Sequence, residues 1–181
     1  MRFTATAIEG VWIIDPEVSG DARGFFLESY NVEAFRRHGI DAKFIQDNHS
    51  GSRRGVVRGL HYQLPPRAQA KLVRVIRGAA YDVAVDIRRG SPTFGRWVAE
   101  TLSESNRKMM YIPTGFAHGF MALEDRTEFL YKVSDAYAPE SQRGILWDDP
   151  RIGIHWPDPG APLVLSDKDR TQPTLEAAEL P

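Results

Sequence analysis

Two histidines stand where a proton-transfer site can be built. His61 lies in RGLHYQ, just after the apolar step Val56-Val57, and His118 lies in PTGFAHGF at the middle of a strand-like run. Imidazole titrates at about 6.5, so it accepts a proton near neutrality when a carboxylate orients its other nitrogen. By residue type, Asp86, Asp167 and Asp169 are the candidates for that carboxylate of His61. His118 shares a face with Phe116 and Phe120, which equally suits a histidine satisfied within a core. Lys71 shares the alternate-residue face of 70–77 with Val73 and Val75. If that face is the interior, the ammonium points inward and needs a partner or a developing anion; otherwise it snorkels from a strand end. Tyr131 falls with Phe129 and Val133. Its phenol, with a pKa of about 10, can pack as an aromatic or serve as an acid toward a carbanion or enolate.

Other chemistries lack their residues. Barrel metal sites commonly use an H-x-H pair and a carboxylate, but Gln63 stands two positions after His61, so no metal is expected. There is no cysteine, which removes thiolate nucleophiles, disulfides and cysteine-ligated metals. Neither G-x-x-x-x-G-K-[ST] nor G-x-G-x-x-G occurs, so triphosphate hydrolysis and nicotinamide chemistry are not indicated. Arg53, Arg54, Arg58, Arg67, Arg74 and Arg77 are dense in guanidinium, and a few of them can clamp a phosphate. Across the chain, 23 Lys and Arg oppose 24 Asp and Glu without a basic block, which disfavours a nucleic-acid partner. The N-terminus has no basic stretch leading into an apolar run, and no segment reaches membrane-spanning length. The expectation is a soluble, cytoplasmic protein with no membrane partner.

These groups need a scaffold, and the pattern predicts an all-β one. Short apolar or alternating segments at 9–15, 70–77, 80–88, 96–102, 109–112, 116–123 and 127–133 are separated by Gly and Pro. Within 80–88, Tyr81, Val83, Val85 and Ile87 fall on one face and Asp82, Ala84 and Asp86 on the other, a period of two. No room remains for crossover helices. One helix is predicted, capped by Asn31, carried by Val32 to His38 and ended by Gly39. From about Ser141 prolines interrupt Trp147, Trp156 and Leu163, which predicts an ordered wrapping segment over 141–181 on a single domain spanning 1–181. Closely spaced strands of this kind suit a jelly roll or another closed antiparallel barrel that holds a ligand inside.

The order of motifs resembles the dTDP-4-dehydrorhamnose 3,5-epimerases. The resemblance is carried by DARGFFLE (21–28), FIQDNHSGS (44–52), GVVRGLHYQ (55–63), QAKLVRVIRG (69–78), YIPTGFAHGF (111–120), LYKVSDAY (130–137), RGILWDDPRIGIHWP (143–157) and LSDKD (165–169). It implies a cupin-type jelly roll, or double-stranded β-helix barrel, acting without metal or cofactor on a dTDP-linked keto-deoxysugar. By resemblance, His61 is the general base, Asp169 its orienting carboxylate and Tyr131 the acid on the opposite face. Lys71 and His118 steady the oxyanion or hold the site geometry, and Arg58 contacts sugar or phosphate. Arg23, Phe26, Glu28, Gln46, Asn48 and Tyr137 contribute to a nucleotide site assembled across a homodimer. One departure is Gln142 in PESQRG (139–144), where the family often shows Glu. The implied reaction inverts C3 and C5 beside a C4 ketone through an enolate. Inversion of one centre on a related dTDP-keto-deoxysugar, a metal-dependent enzyme of the same barrel group, and a non-catalytic sugar-binding barrel are the other readings.

Overall fold

The computed structural model describes residues 1–181 and contains thirteen strands and two short helices. In chain order these are β1 (Arg2–Ala5), β2 (Trp12–Asp15), β3 (Val18–Asp21), β4 (Gly24–Leu27), α1 (Val32–Arg36), β5 (Gln46–Ser52), β6 (Val57–Gln63), β7 (Lys71–Arg77) and β8 (Ala79–Asp86). They continue with β9 (Trp97–Ser103), β10 (Met109–Ile112), β11 (Phe116–Ala122), β12 (Thr127–Val133), β13 (Gln142–Gly144) and α2 (Asp167–Arg170). A six-stranded sheet runs β1-β2-β10-β7-β12-β5, and a five-stranded sheet runs β13-β6-β11-β8-β9. This is the all-β jelly-roll arrangement the spacing predicts and the cupin-type barrel the resemblance implies, with β3 and β4 as a separate hairpin.

Period-two patterning decides what each face buries. Between the sheets, Val73, Val75, Ala80, Ala84, Met110, Phe120 and Phe129 form one apolar cluster. On the outer face of the five-stranded sheet, Val83, Val85 and Ile87 pack with Ile145, Ile152, Leu175 and Ala178. Both faces of β8 are therefore covered, one by the opposite sheet and one by the C-terminal segment, which explains why that segment keeps large apolar residues among its prolines. The outer face of the other sheet is covered by Phe35 of α1 with Ile40, Leu72 and Met109. That helix is shorter than its pattern predicts: Asn31 accepts from the backbone N–H of Glu33 and Ala34, but the helical residues stop at Arg36. The turn then closes on Gly39 at φ +75, a left-handed position that costs glycine little. The predicted strand at 9–15 is likewise trimmed, because Gly10 turns the chain at φ +94 and pairing begins at Trp12.

Asp86 is a structural carboxylate rather than a partner for His61. It has no solvent exposure and accepts from Arg88 and from the hydroxyls of Ser91 and Thr93, both at 2.6 Å, pinning the turn after β8. Burial alone would raise its pKa, but these donors outweigh burial and bring it from 3.8 to about 2. A depressed folded-state pKa stabilises above the unfolded value and ceases to do so as pH falls through the folded one. Asp86→Ala is expected to lose about 1–3 kcal/mol in urea unfolding at neutral pH, since it leaves half-buried Arg88 and two hydroxyls without their acceptor. The deficit relative to the unaltered protein should shrink as the pH falls from about 4 toward about 2.

Candidate active site

A cavity of about 800 Å³ opens between the sheets and is lined by His61, Lys71, His118, Tyr131 and Asp169. Lys71 is the first residue of the inward face of β7, continuing the row of Val73 and Val75, and is only 8% exposed. His118 and Phe120 come from β11, and Phe129 and Tyr131 from β12.

His61 reaches the cavity through an irregularity in β6. His118 pairs with His61, but Phe120 pairs with Arg58 rather than with residue 59, so β6 carries one extra residue there. In a regular strand, residues three apart point to opposite faces; the bulge lets both Arg58 and His61 line the cavity. Gly59 makes this possible. It sits at φ +124, and a Cβ there would lie 2.5 Å from Gly119 Cα and 2.7 Å from the His118 carbonyl.

Asp169 is delivered by the C-terminal segment. Val57 donates its N–H to Val164 and Val164 donates to Gly55, which lays the segment beside the start of β6. Ser166 then caps α2, its hydroxyl accepting from Asp169 N–H at 3.1 Å. Asp169, 4% exposed, receives Nε2 of His61 at 2.6 Å. Of the three carboxylates that residue type allows, Asp169 is the one in contact. Burial pushes the Asp169 carboxyl up, but hydrogen bonding to and charge on His61 push it further down, with Ser166 and the Gly59 N–H assisting. An ionised carboxylate only accepts, so the Asp169-facing Nε2 carries the proton and Nδ1 of His61 is left with the lone pair. This is how a carboxylate prepares an imidazole base.

Tyr131 enters from the opposite sheet. Burial raises its pKa, with Arg58 opposing, which keeps the phenol protonated at neutrality. The cavity's cations share a feature: each donates to neutral oxygens. Arg58 donates to Ser52 Oγ and Gly51 O, Lys71 to the His61 carbonyl at 3.2 Å, and Lys168 to Gln142 Oε1 at 2.8 Å. Asp169 is the single carboxylate residue in the lining, so the cavity is set up to receive an anion. Gln46, Asn48 and Tyr137 also line it; Tyr137 donates its hydroxyl to Gln142 and its N–H to Gln46.

Arg23, Phe26 and Glu28 lie elsewhere. The first two belong to the β3–β4 hairpin, where Phe25 and Phe26 are 62% and 75% exposed, and Glu28 accepts from Asn31 beside α1. Sequence reasoning missed Lys168, which sits within the quoted LSDKD segment, and Asp82, the buried partner of His118. No group of three or more His, Cys, Asp or Glu side chains gathers in metal-binding geometry. Nor is any helix long and apolar enough to cross a membrane.

A family model described as dTDP-4-dehydrorhamnose 3,5-epimerase matches residues 5–177. The dTDP-4-dehydrorhamnose 3,5-epimerase of Pseudomonas aeruginosa is 57% identical over 171 residues, covering 94% of this chain and 93% of that protein. Among solved structures, the dTDP-6-deoxy-D-glucose-3,5-epimerase of Legionella pneumophila in complex with dTDP-4-keto-L-rhamnose matches with a TM-score of 0.96 at 46% identity, over 99% of this chain and 97% of that one. A 3'-monoepimerase from Streptomyces bikiniensis in complex with dTDP-quinovose matches with a TM-score of 0.88 at 40% identity, over 94% and 86%.

Proposed function

The chain belongs to the dTDP-4-dehydrorhamnose 3,5-epimerase family, and we propose that its cavity performs the family reaction with His61 as base and Tyr131 as acid. The protein is an enzyme of the dTDP-sugar epimerase class, and it converts dTDP-4-keto-6-deoxy-D-glucose to dTDP-4-keto-L-rhamnose by inverting C3 and C5. The observation that carries the residue assignment is the 2.6 Å contact of His61 Nε2 with Asp169, which leaves Nδ1 as the basic nitrogen.

Both C3 and C5 flank the C4 ketone, so removing a proton from either gives an enolate whose charge rests on O4. His61 Nδ1 takes the proton from the side of the five-stranded sheet. Tyr131 returns one from the side of the six-stranded sheet, which inverts the centre. Lys71 meets the developing charge on O4 in a site shielded from water. Only protons move, so the scheme asks for no redox partner. Arg58 and Lys168 hold the diphosphate, and Gln46, Asn48 and Tyr137 frame the nucleotide.

Residues 1–181 act as one domain, with 141–181 bracing the barrel and supplying Asp169. Arg23, Phe26 and Glu28 do not line the cavity of their own chain, and the exposed hairpin that bears the first two serves the second copy of a homodimer.

The test of the reaction is the ring configuration of the product, read by proton NMR couplings after incubation with dTDP-4-keto-6-deoxy-D-glucose. The L-lyxo sugar is expected; a product inverted at one centre would replace this reading with a mono-epimerase, and unchanged substrate would remove it.

Gln142 offers a test of the anion site. It is a neutral bridge between Tyr137 and Lys168, at 2.8 Å from each. Gln142→Glu keeps the shape but pairs Lys168 with a carboxylate. It is expected to weaken dTDP binding by about three- to tenfold in calorimetry, and to flatten the salt dependence of Kd. Unchanged affinity and salt dependence would mean that Lys168 does not hold the diphosphate.

A further inference from the structure

His61 and His118 face one another across the β6–β11 pair, and each directs Nε2 at its own buried carboxylate. The pair formed by His61 and Asp169 is accounted for above. In the other, His118 Nε2 lies 2.7 Å from Asp82 Oδ1. Asp82 has no solvent exposure, and its Oδ2 receives no hydrogen bond from the protein. A buried carboxylate with one idle oxygen is costly to keep, and a neutral amide would hold the ring equally well. The charge itself therefore needs an explanation, and the nearby Lys71 ammonium provides one.

We propose that Asp82 is a positioning residue for the epimerisation: its negative charge keeps the buried Lys71 cationic, and its Oδ1 fixes His118 with the proton on Nε2. The proposal rests on the reaction and the role of Lys71 given above. Lys71 donates only to the His61 carbonyl and has no carboxylate in ion-pair contact, so its charge depends on the field of the site. Burial lowers its pKa to about 8, with Asp82 as the opposing influence. Burial also lowers the His118 pKa, and the Lys71 and His61 charges add to the effect against Asp82. The cluster therefore holds one anion, one neutral imidazole and one ammonium. With Nε2 engaged, neutral His118 is an acceptor at Nδ1, suited to a sugar hydroxyl, and the enolate is left to Lys71. The titratable or charged groups that share this cavity with Lys71 are Arg58, His61 and Tyr62 on β6, His118 on β11, Tyr131 on β12, Tyr137 after it, and Asp169 and Lys168 on α2. Asp82 on β8 stands behind His118, and the β10 and β12 residues paired with Lys71 are the uncharged Ile112 and Val133.

The test is the pH dependence of kcat for the unaltered enzyme and for Asp82→Asn, whose amide oxygen still accepts from His118. Lys71 is charged below its pKa, so the alkaline loss of activity should fall at about 8 in the unaltered enzyme. In Asp82→Asn it should move down by about one unit, with kcat reduced about twofold near neutrality and about tenfold well above about pH 8, and KM within about twofold. A purely structural role would lower thermal stability and leave the alkaline limb in place, and that result overturns the proposal. If the variant does not fold, nitrogen-15 spectra of histidine-labelled unaltered enzyme decide. A neutral His118 protonated on Nε2 is expected, and an Nδ1-protonated ring or an imidazolium near neutrality overturns it. An unaltered enzyme with no epimerase activity would instead refute the reaction itself, and this inference with it.

Discussion

His61→Asn should reduce deuterium entry at both C3 and C5 of dTDP-4-keto-6-deoxy-D-glucose by about 10³-fold, leaving dTDP affinity within about twofold. The asparagine keeps a polar group near the position of Nδ1 but has no lone pair basic enough to take a carbon-bound proton, and it falls short of Asp169. Both centres fall together because one imidazole, fixed from behind by a carboxylate at 2.6 Å, serves each in turn. Loss at one centre with the other untouched would require a second base and would break the scheme. Asp169→Asn is the companion variant, because it leaves the ring in place while removing the charge that stabilises the imidazolium and fixes the proton on Nε2.

Tyr131→Phe should separate exchange from inversion. The phenylalanine preserves the packing of Tyr131 near Phe129, whose ring centroids are 6.2 Å apart, but removes the only acid assigned to the six-stranded side. The enolate can still form and be reprotonated by His61 from the original side. Deuterium is therefore expected to enter with retention, while inverted product falls by about 10²-fold or more. Both are read from one NMR time course. Equal loss of exchange and inversion would move Tyr131 from acid to a role in binding or in holding His61.

Much of this site was legible because regular strands convert spacing into direction. The alternation in 70–77 places Lys71 with Val73 and Val75, and that face is the interior. Tyr131 follows by the same rule. His61 was legible as chemistry but not as geometry: the extra residue in β6 shifts the face assignment, and its necessity arises only from the approach of Gly59 to Gly119, distant in sequence. Asp82 shows the other limit. On its strand it reads as the polar face opposite Val83, yet that face turns inward and Oδ1 of the carboxylate meets a histidine 36 residues away. Asp169 could be narrowed to three carboxylates by type, and only the bridge from Val56 to Val164 and the cap at Ser166 select it. The C-terminal segment was readable as ordered because its apolar residues demand burial, while the face that receives them could be found only from the stacked sheets.

The most direct measurement follows dTDP-4-keto-6-deoxy-D-glucose by NMR in heavy water with the unaltered enzyme, recording deuterium at C3 and C5 as product forms. One base serving two centres through an enolate predicts solvent deuterium at both positions, with none at other ring carbons. Inversion without deuterium entry at either carbon, or deuterium above the enzyme-free control at neither, would contradict proton transfer by His61 and Tyr131.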